Sequence, residues 1–132
     1  MTKHEIKTEH APAAIGPYSQ GIALGELAFI SGQIPIDPAT GEFAAEDAVG
    51  QARQCLLNIR AILAEGNMGM NSVVKTTVLL TDMADFAAVN EVYASFFTAP
   101  YPARACFQVA ALPRGAKVEI EAIAQRDMQV SF

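Results

Sequence analysis

An arginine and two glutamates interrupt apolar stretches near the end of this chain. Arg104 lies in YPARACFQVA, and Glu119 and Glu121 lie in KVEIEAIAQ. A guanidinium has fixed donors that match a carboxylate in bidentate fashion, so Arg104 suits the binding of an acidic small molecule. Glu119 suits a general base that positions water, provided that burial raises its pKa toward neutrality.

A purely structural interpretation of the same residues stays open. Arg104 can pair with Glu119 or Glu121, because a buried ion without a partner is strongly destabilising. On spacing alone this ion pair is the more common arrangement, and Glu119 is then half of an interfacial salt bridge. One of the two glutamates can be structural while the other is catalytic, and spacing does not choose between them.

Other reactive groups have less support in the sequence. Cys106 follows Arg104 by two residues, but no histidine or metal-ligand spacing accompanies it, so a small buried thiol is expected. Cys55 is expected to be free as well, because there is no Cys-x-x-Cys pair. His4 and His10 belong to the polar start of the chain, which is expected to be mobile. No metal site is predicted.

Side chains alternate across a strand, and this predicts the side of the sheet on which each group lies. Arg104 and Cys106 alternate with apolar residues along one strand, so they share one face of it. Glu119 and Glu121 alternate with aliphatic residues along the next strand and share a face in the same way. If helices cover one side of the sheet, all four groups are predicted to lie on the other side. That side is either open to water or pressed against another subunit, and the 52% hydrophobic content favours the second arrangement.

Periodicity predicts the elements that hold these strands. Two apolar runs around Gly25-Glu26 predict a β-hairpin with a type II′ turn. Apolar residues recur at spacings of 3 and 4 over residues 46–65, which predicts an amphipathic helix that ends at Gly66. Gln51 and Asn58 fall outside its apolar stripe.

The middle of the chain predicts a further strand and a further helix. The strand is predicted over Val73–Leu80 from its β-branched residues. Asp82 is a good N-cap for the helix, whose apolar residues recur at helical spacing from Phe86 to Phe96 and which ends before Pro100. The strands that carry Arg104 and the glutamates follow. The predicted fold class is α+β, a sandwich of one mixed sheet with both helices on one face.

Composition limits the possible partners. A length of 132 residues predicts one domain over residues 1–132. The net charge of −5, with scattered basic residues, opposes binding to nucleic acid. No apolar run reaches the ~18 residues of a membrane span and no apolar signal segment precedes the domain, so a soluble, cytoplasmic protein is predicted.

Four ordered motifs resemble one known family. They are AIGPYSQG at 14–21, ISGQIP at 30–35, KTTV at 75–78, and PAR-CF, LP and VEIEA between 102 and 122. Together they span nearly the whole chain and resemble the RidA/YjgF family of reactive intermediate deaminases. The resemblance implies a chorismate-mutase-like fold assembled as a homotrimer, with sites in the clefts between subunits.

The resemblance also implies an activity. Family members hydrolyse enamines and imines such as 2-aminoacrylate, which pyridoxal-phosphate-dependent enzymes release, to 2-keto acids and ammonia. No metal or cofactor is implied. An imine carbon beside a carboxylate is already electrophilic, so the protein need only hold the anion, exclude other nucleophiles and aim one water.

Individual roles follow from the resemblance, residue by residue. Arg104 would hold the substrate carboxylate with help from a backbone N–H near Cys106, and Glu119 would orient the attacking water. Glu121 would be structural. The other positions implied to line the substrate pocket are Tyr18, Ser31, Gly32 and Asn90.

Three other functions stay open. One is a module that binds 2-keto acids as a sensor or regulator without turnover. Another is an endoribonuclease activity, which is attributed to some relatives and which the net charge of −5 opposes. The third is a chaperone-like role through an apolar surface.

Overall fold

A computed structural model describes residues 2–126, which form one mixed sheet and two helices. The elements in chain order are β1 (Lys3–Ile6), β2 (Gly21–Leu24), β3 (Leu27–Gln33), α1 (Ala48–Glu65), β4 (Val73–Leu80), α2 (Phe86–Ala94), β5 (Ala103–Gln108) and β6 (Val118–Gln125). The strands lie in the order β1-β2-β3-β6-β4-β5, with β4 and β5 parallel and the other pairs antiparallel.

Both helices pack on one side of this sheet. α1 lies over β3 and β6, and α2 packs against α1. The predicted α+β class with two helices on one face is therefore confirmed. The prediction of one domain over residues 1–132 includes residues outside the described range and stays a prediction.

The hairpin of β2 and β3 is confirmed, and a strand that the sequence did not indicate precedes it. Gly25 has a φ of 59°, as the first central residue of a type II′ turn requires. The strand β1 pairs antiparallel with β2, which corrects the expectation of a mobile start. Only Ile6 in β1 is buried, so the strand carries almost no alternation signal and depends on pairing with β2.

The helix α1 begins two residues later than predicted and ends before Gly66, as predicted. Two amides that were placed outside its apolar stripe are buried instead. The Asn58 side chain donates to the carbonyls of Ile34 and Ile36, and the Gln51 side chain accepts a hydrogen bond from the backbone N–H of Lys117. These bonds give both buried amides hydrogen-bond partners. They also attach two connections to α1, the one that follows β3 and the one that precedes β6.

The second helix begins later than predicted. Asp82 accepts a hydrogen bond from the backbone N–H of Ala84, but it caps a short 3₁₀ turn, Met83–Asp85, and α2 follows that turn. The strand β4 has the predicted bounds, and the helix ends before Pro100. Within residues 2–126, neither helix is long and apolar enough to cross a membrane.

Strand register corrects the predicted sides of the charged residues. Arg104 on β5 lies beside Thr76 on β4, which lies beside Ala122 on β6, and both of these neighbours are buried beneath the helices. Arg104 therefore lies on the helix side. Glu119 and Glu121 alternate with the buried residues of β6 and lie on the open side. Alternation assigns faces within one strand only; the relation between strands depends on how they pair.

Candidate active site

The Arg104 side chain is held by the helix α2. Its Nη1 donates a hydrogen bond to Oδ1 of Asn90 over 2.6 Å. Its guanidinium carbon lies 4.9 Å from the ring centre of Tyr93 and 5.5 Å from that of Phe86, both within the range of a cation–π contact. Asn90 and Arg104, which the resemblance implied for one pocket, are therefore brought together.

A carboxylate partner for Arg104 is absent from the described part of the chain. The two ion pairs found within residues 2–126 join Arg114 to Glu42 and Arg126 to Glu26. Arg104 therefore does not pair with Glu119 or Glu121 within one protomer, and a salt bridge across a subunit interface stays a prediction. Most of the guanidinium donors stay available for an external anion.

A pocket of about 370 Å³ opens beside this guanidinium. Its lining residues are Asn90, Tyr93, Ala94, Tyr101, Pro102 and Arg104. The lining combines one cation, one amide, two phenols and apolar surface. It therefore suits a small organic anion with an apolar portion.

Two residues of this region were not identified from the sequence as part of a site. Tyr93 was assigned to the helix core, and Thr76 was noted only within the motif KTTV. Their hydroxyl oxygens are 2.7 Å apart and both residues are buried. Burial raises the pKa of Tyr93, while the bond to Thr76 and the charge of Arg104 oppose the rise. The phenol therefore keeps its proton at neutral pH.

Cys106 lies two residues after Arg104, on the helix side and not on the open side that alternation had suggested. The thiol is free and half-buried. Burial raises its pKa, and the nearby Arg104 charge only partly opposes this rise. A protonated thiol is a poor nucleophile, which agrees with the expected unreactive cysteine.

Glu119 lies on the open side against a bulge in β3. Between Ile30 and Gln33 the register shifts, so three steps along β3 match two along β6. Gly32 is in this bulge, and a Cβ built on it would come within 2.9 Å of the Glu119 carboxyl carbon. The absence of a side chain at Gly32 therefore makes room for the carboxyl group. Bulges of this kind often adjust the position of a functional side chain.

The surroundings of Glu119 favour its neutral form. Burial raises its pKa, and the negative charge of Glu121 raises it further. A raised pKa moves a carboxyl group toward the range in which it can both accept and return a proton, which is the property of a general acid–base group. The pKa of Glu119 is thus shifted upward, which is the direction that its predicted role as a general base requires.

Ser31 and Tyr18 lie away from Arg104. The Ser31 hydroxyl donates to the carbonyl of Ser19 over 2.6 Å. Tyr18 is 54% exposed and lines a different cavity, of about 890 Å³, which the N-terminal segment forms with Arg114. In one protomer the predicted residues thus form separate groups: Arg104 with Asn90, Glu119 with Gly32 on the other side of the sheet, and the Tyr18 loop.

Comparisons with known proteins agree with the motifs. The endoribonuclease L-PSP family model matches residues 8–126. The chain is 61% identical over 118 residues to RutC family protein y4sK of Sinorhizobium fredii, a match that covers 89% of this chain and 94% of that protein. It is 53% identical over 124 residues to 2-iminobutanoate/2-iminopropanoate deaminase of Escherichia coli K12, with 92% of this chain and 96% of that protein covered.

The solved structures agree as well. The YjgF gene product of E. coli matches with a TM-score of 0.91 and 50% sequence identity, and the match covers 94% of this chain and 99% of that chain. The family model and this level of identity extend over nearly all of the described residues. The chain therefore belongs to the RidA/YjgF family, which the endoribonuclease L-PSP model describes.

Proposed function

We propose that the protein hydrolyses 2-imino acids and their enamine tautomers, such as 2-aminoacrylate, to 2-keto acids and ammonia. One observation carries the proposal: the Arg104 guanidinium is held by Asn90 and two aromatic rings, lacks a carboxylate partner within residues 2–126, and faces a pocket of about 370 Å³. Relatives named as 2-iminobutanoate/2-iminopropanoate deaminases support the same reaction class.

In the proposed mechanism, Arg104 binds the substrate carboxylate in bidentate fashion. An enamine first becomes an imine by gaining a proton on carbon and losing one from nitrogen. Ionised Glu119 then accepts a proton from water while the water oxygen bonds to the imine carbon, which gives a carbinolamine once the nitrogen is protonated. Glu119, ionised again after it has returned its proton to the nitrogen, then relays the hydroxyl proton to the amino group. The C–N bond breaks as the hydroxyl oxygen forms the carbonyl, and ammonia leaves.

A homotrimer with sites between subunits would explain the separation of the two groups. Arg104 and Glu119 lie on opposite sides of one sheet, so a shared site requires the Arg104 group of one protomer and the Glu119 group of a neighbour. The open side also exposes apolar residues, with Phe29 at 41% and Phe107 at 50% exposure. Burying such side chains between subunits is favourable.

Mixing two inactive variants tests this arrangement. Arg104→Ala and Glu119→Gln proteins are unfolded together, refolded, and assayed against each variant refolded alone. Recovery of part of the parent activity in the mixture supports sites that two protomers share. A mixture no more active than its components contradicts it. Light scattering of each variant gives the assembly state independently.

The proposed substrate sets the remaining expectations. Its source would be pyridoxal-phosphate-dependent enzymes that release enamines, and the reaction would need no metal or cofactor in this protein. A cytoplasmic location stays a prediction from the sequence.

The central experiment follows 2-aminoacrylate that a serine dehydratase generates in the cuvette. The parent protein is expected to accelerate its loss, and Arg104→Ala is expected to remove the acceleration. Arg53→Ala is the matched control, because Arg53 is an exposed arginine on α1. Equal rates for Arg104→Ala and the parent would overturn the carboxylate clamp. Saturable 2-ketobutyrate binding without acceleration would favour the non-catalytic binding module.

A further inference from the structure

The Tyr93 ring is the closest aromatic contact of the Arg104 guanidinium. The guanidinium carbon lies 4.9 Å from the ring centre, nearer than the 5.5 Å to Phe86. Asn90 binds Nη1 from the same helix. The guanidinium is therefore supported by the Tyr93 ring and fixed at Nη1 by Asn90, and its other N–H groups remain available.

The Tyr93 ring is itself fixed at both ends. Its hydroxyl lies 2.7 Å from Oγ1 of Thr76, and its ring centre lies 4.7 Å from that of Phe97. Tyr93 is 5% exposed and Thr76 is 1% exposed, so water does not compete readily for this hydroxyl pair. A ring held in this way has little freedom to tilt.

Thr76 ties this support to the strand next to the one that carries the arginine. It lies on β4 directly beside Arg104 on β5 in the parallel register. The hydroxyl pair therefore links α2 to the sheet at the row that includes Arg104. A shift of α2 relative to β5 would move the ring and Asn90 together, and the guanidinium with them.

We propose that Tyr93 and Thr76 are positioning residues that preset the orientation of Arg104 for the substrate carboxylate. The inference rests on the proposed function. A free arginine side chain has many rotamers, and ordering it on binding costs affinity. The hydroxyl pair and the ring order the arginine during folding, so this entropy is not lost on binding. Removing them should therefore weaken substrate binding more than it slows the later water attack.

Three substitutions test the hydroxyl pair. Tyr93→Phe and Thr76→Val each remove one hydroxyl with little change in shape, and each is expected to raise KM for the imino acid about tenfold while kcat changes about twofold or less. Thr76→Ser keeps the hydroxyl and is expected to restore KM to within about twofold of the parent. The same order is expected for the Kd of 2-ketobutyrate, which needs no turnover.

Two further measurements separate positioning from loss of stability. Ile62→Val truncates a fully buried side chain in α1 that packs against β2, and is expected to leave KM unchanged. In an Arg104→Ala background, Thr76→Val is expected to have no further effect on the Kd of 2-ketobutyrate, because the group that it positions is gone.

Each outcome has one meaning. Parent-like KM and Kd for both Tyr93→Phe and Thr76→Val, with Arg104→Ala inactive, would overturn the inference and leave the proposed function standing. A further rise of the Kd of 2-ketobutyrate with Thr76→Val in the Arg104→Ala background would also overturn the inference. An active Arg104→Ala protein would overturn the proposed function itself. If Thr76→Val fails to fold, Tyr93→Phe tests the same hydroxyl pair from the other side.

Discussion

The helix side and the open side of the sheet treat their charged groups in opposite ways. On the helix side, Arg104 is fixed by a side-chain amide and two rings, and its hydrogen bond to the amide oxygen is 2.6 Å long. On the open side, Glu119 is placed by the space above Gly32, and no hydrogen bond or ion pair to its side chain is found within residues 2–126. One group is held by partners, and the other by packing.

This difference matches the two roles proposed for these groups. A group that binds an anion gains from a fixed orientation and a permanent charge, which the supported guanidinium provides. A group that moves protons needs a pKa near the working pH, and firm hydrogen-bond donors or a cation would lower the pKa of Glu119. Within one protomer the open side leaves that carboxyl group without such partners, and its pKa is raised. Five predictions test the comparison.

Glu119→Gln should have the largest effect. The amide keeps the shape of the side chain but cannot accept a proton, so kcat for imine loss should fall about 10²–10⁴-fold. KM should change little, because the carboxylate clamp on the helix side is intact. Steady-state kinetics measure both. A kcat within about threefold of the parent would remove Glu119 from the proposed chemistry.

Gly32→Ala should come next. The new Cβ would displace the Glu119 carboxyl group, so kcat should fall about tenfold or more while the chain still folds, since only a flexible side chain has to move. In the Glu119→Gln background the same substitution should cost much less. Gly69→Ala is the control, because its Cβ would meet only the Asn71 side chain. Equal losses in both backgrounds would contradict the link between Gly32 and Glu119.

Asn90→Ala should affect binding and not the water attack. Arg104 would lose its one amide acceptor but keep both rings, so KM should rise about three- to tenfold with kcat nearly unchanged. Calorimetric titration with 2-ketobutyrate should show the same loss in Kd. A fall in kcat at constant KM would mean that the two sides of the sheet do not divide the work as proposed.

The stability of Glu119→Gln should depend on pH. The pKa of Glu119 is raised in the folded state, so the native protein holds its proton more tightly than the unfolded chain does. The stability that this proton confers is complete below the unfolded pKa of about 4.3 and is lost as pH rises through the folded pKa. Gln stays neutral, so the variant should be more stable than the parent at neutral pH and should lose that advantage in acid. Urea unfolding at several pH values measures this.

Glu121→Gln should have the smallest effect. Its negative charge is the second cause of the raised pKa of Glu119, after burial. Without that charge the pKa of Glu119 should fall, and the acidic limb of the pH–kcat profile should move to lower pH while the plateau stays the same. A lower plateau would instead give Glu121 a direct part in the reaction.

Much of the fold could be predicted because each element carries its own pattern. The β-branched run of β4 and the apolar stripe of α1 depend only on local spacing, and both were predicted to within two residues. The strand β1 was missed because one buried residue makes no pattern. Gln51 and Asn58 were placed outside the core because their buried hydrogen bonds are made to distant loops, which spacing cannot indicate.

The candidate site divides in the same way. The residue types and the family motifs were enough to select Arg104 and Glu119, because the chemistry of a guanidinium and a carboxyl group does not depend on the fold. Their placement on opposite sides of the sheet depends on β4 lying between β5 and β6 and on its register with each. Alternation repeats every two residues within a strand and says nothing about the phase of its neighbour, so only tertiary pairing could decide which side each group occupies.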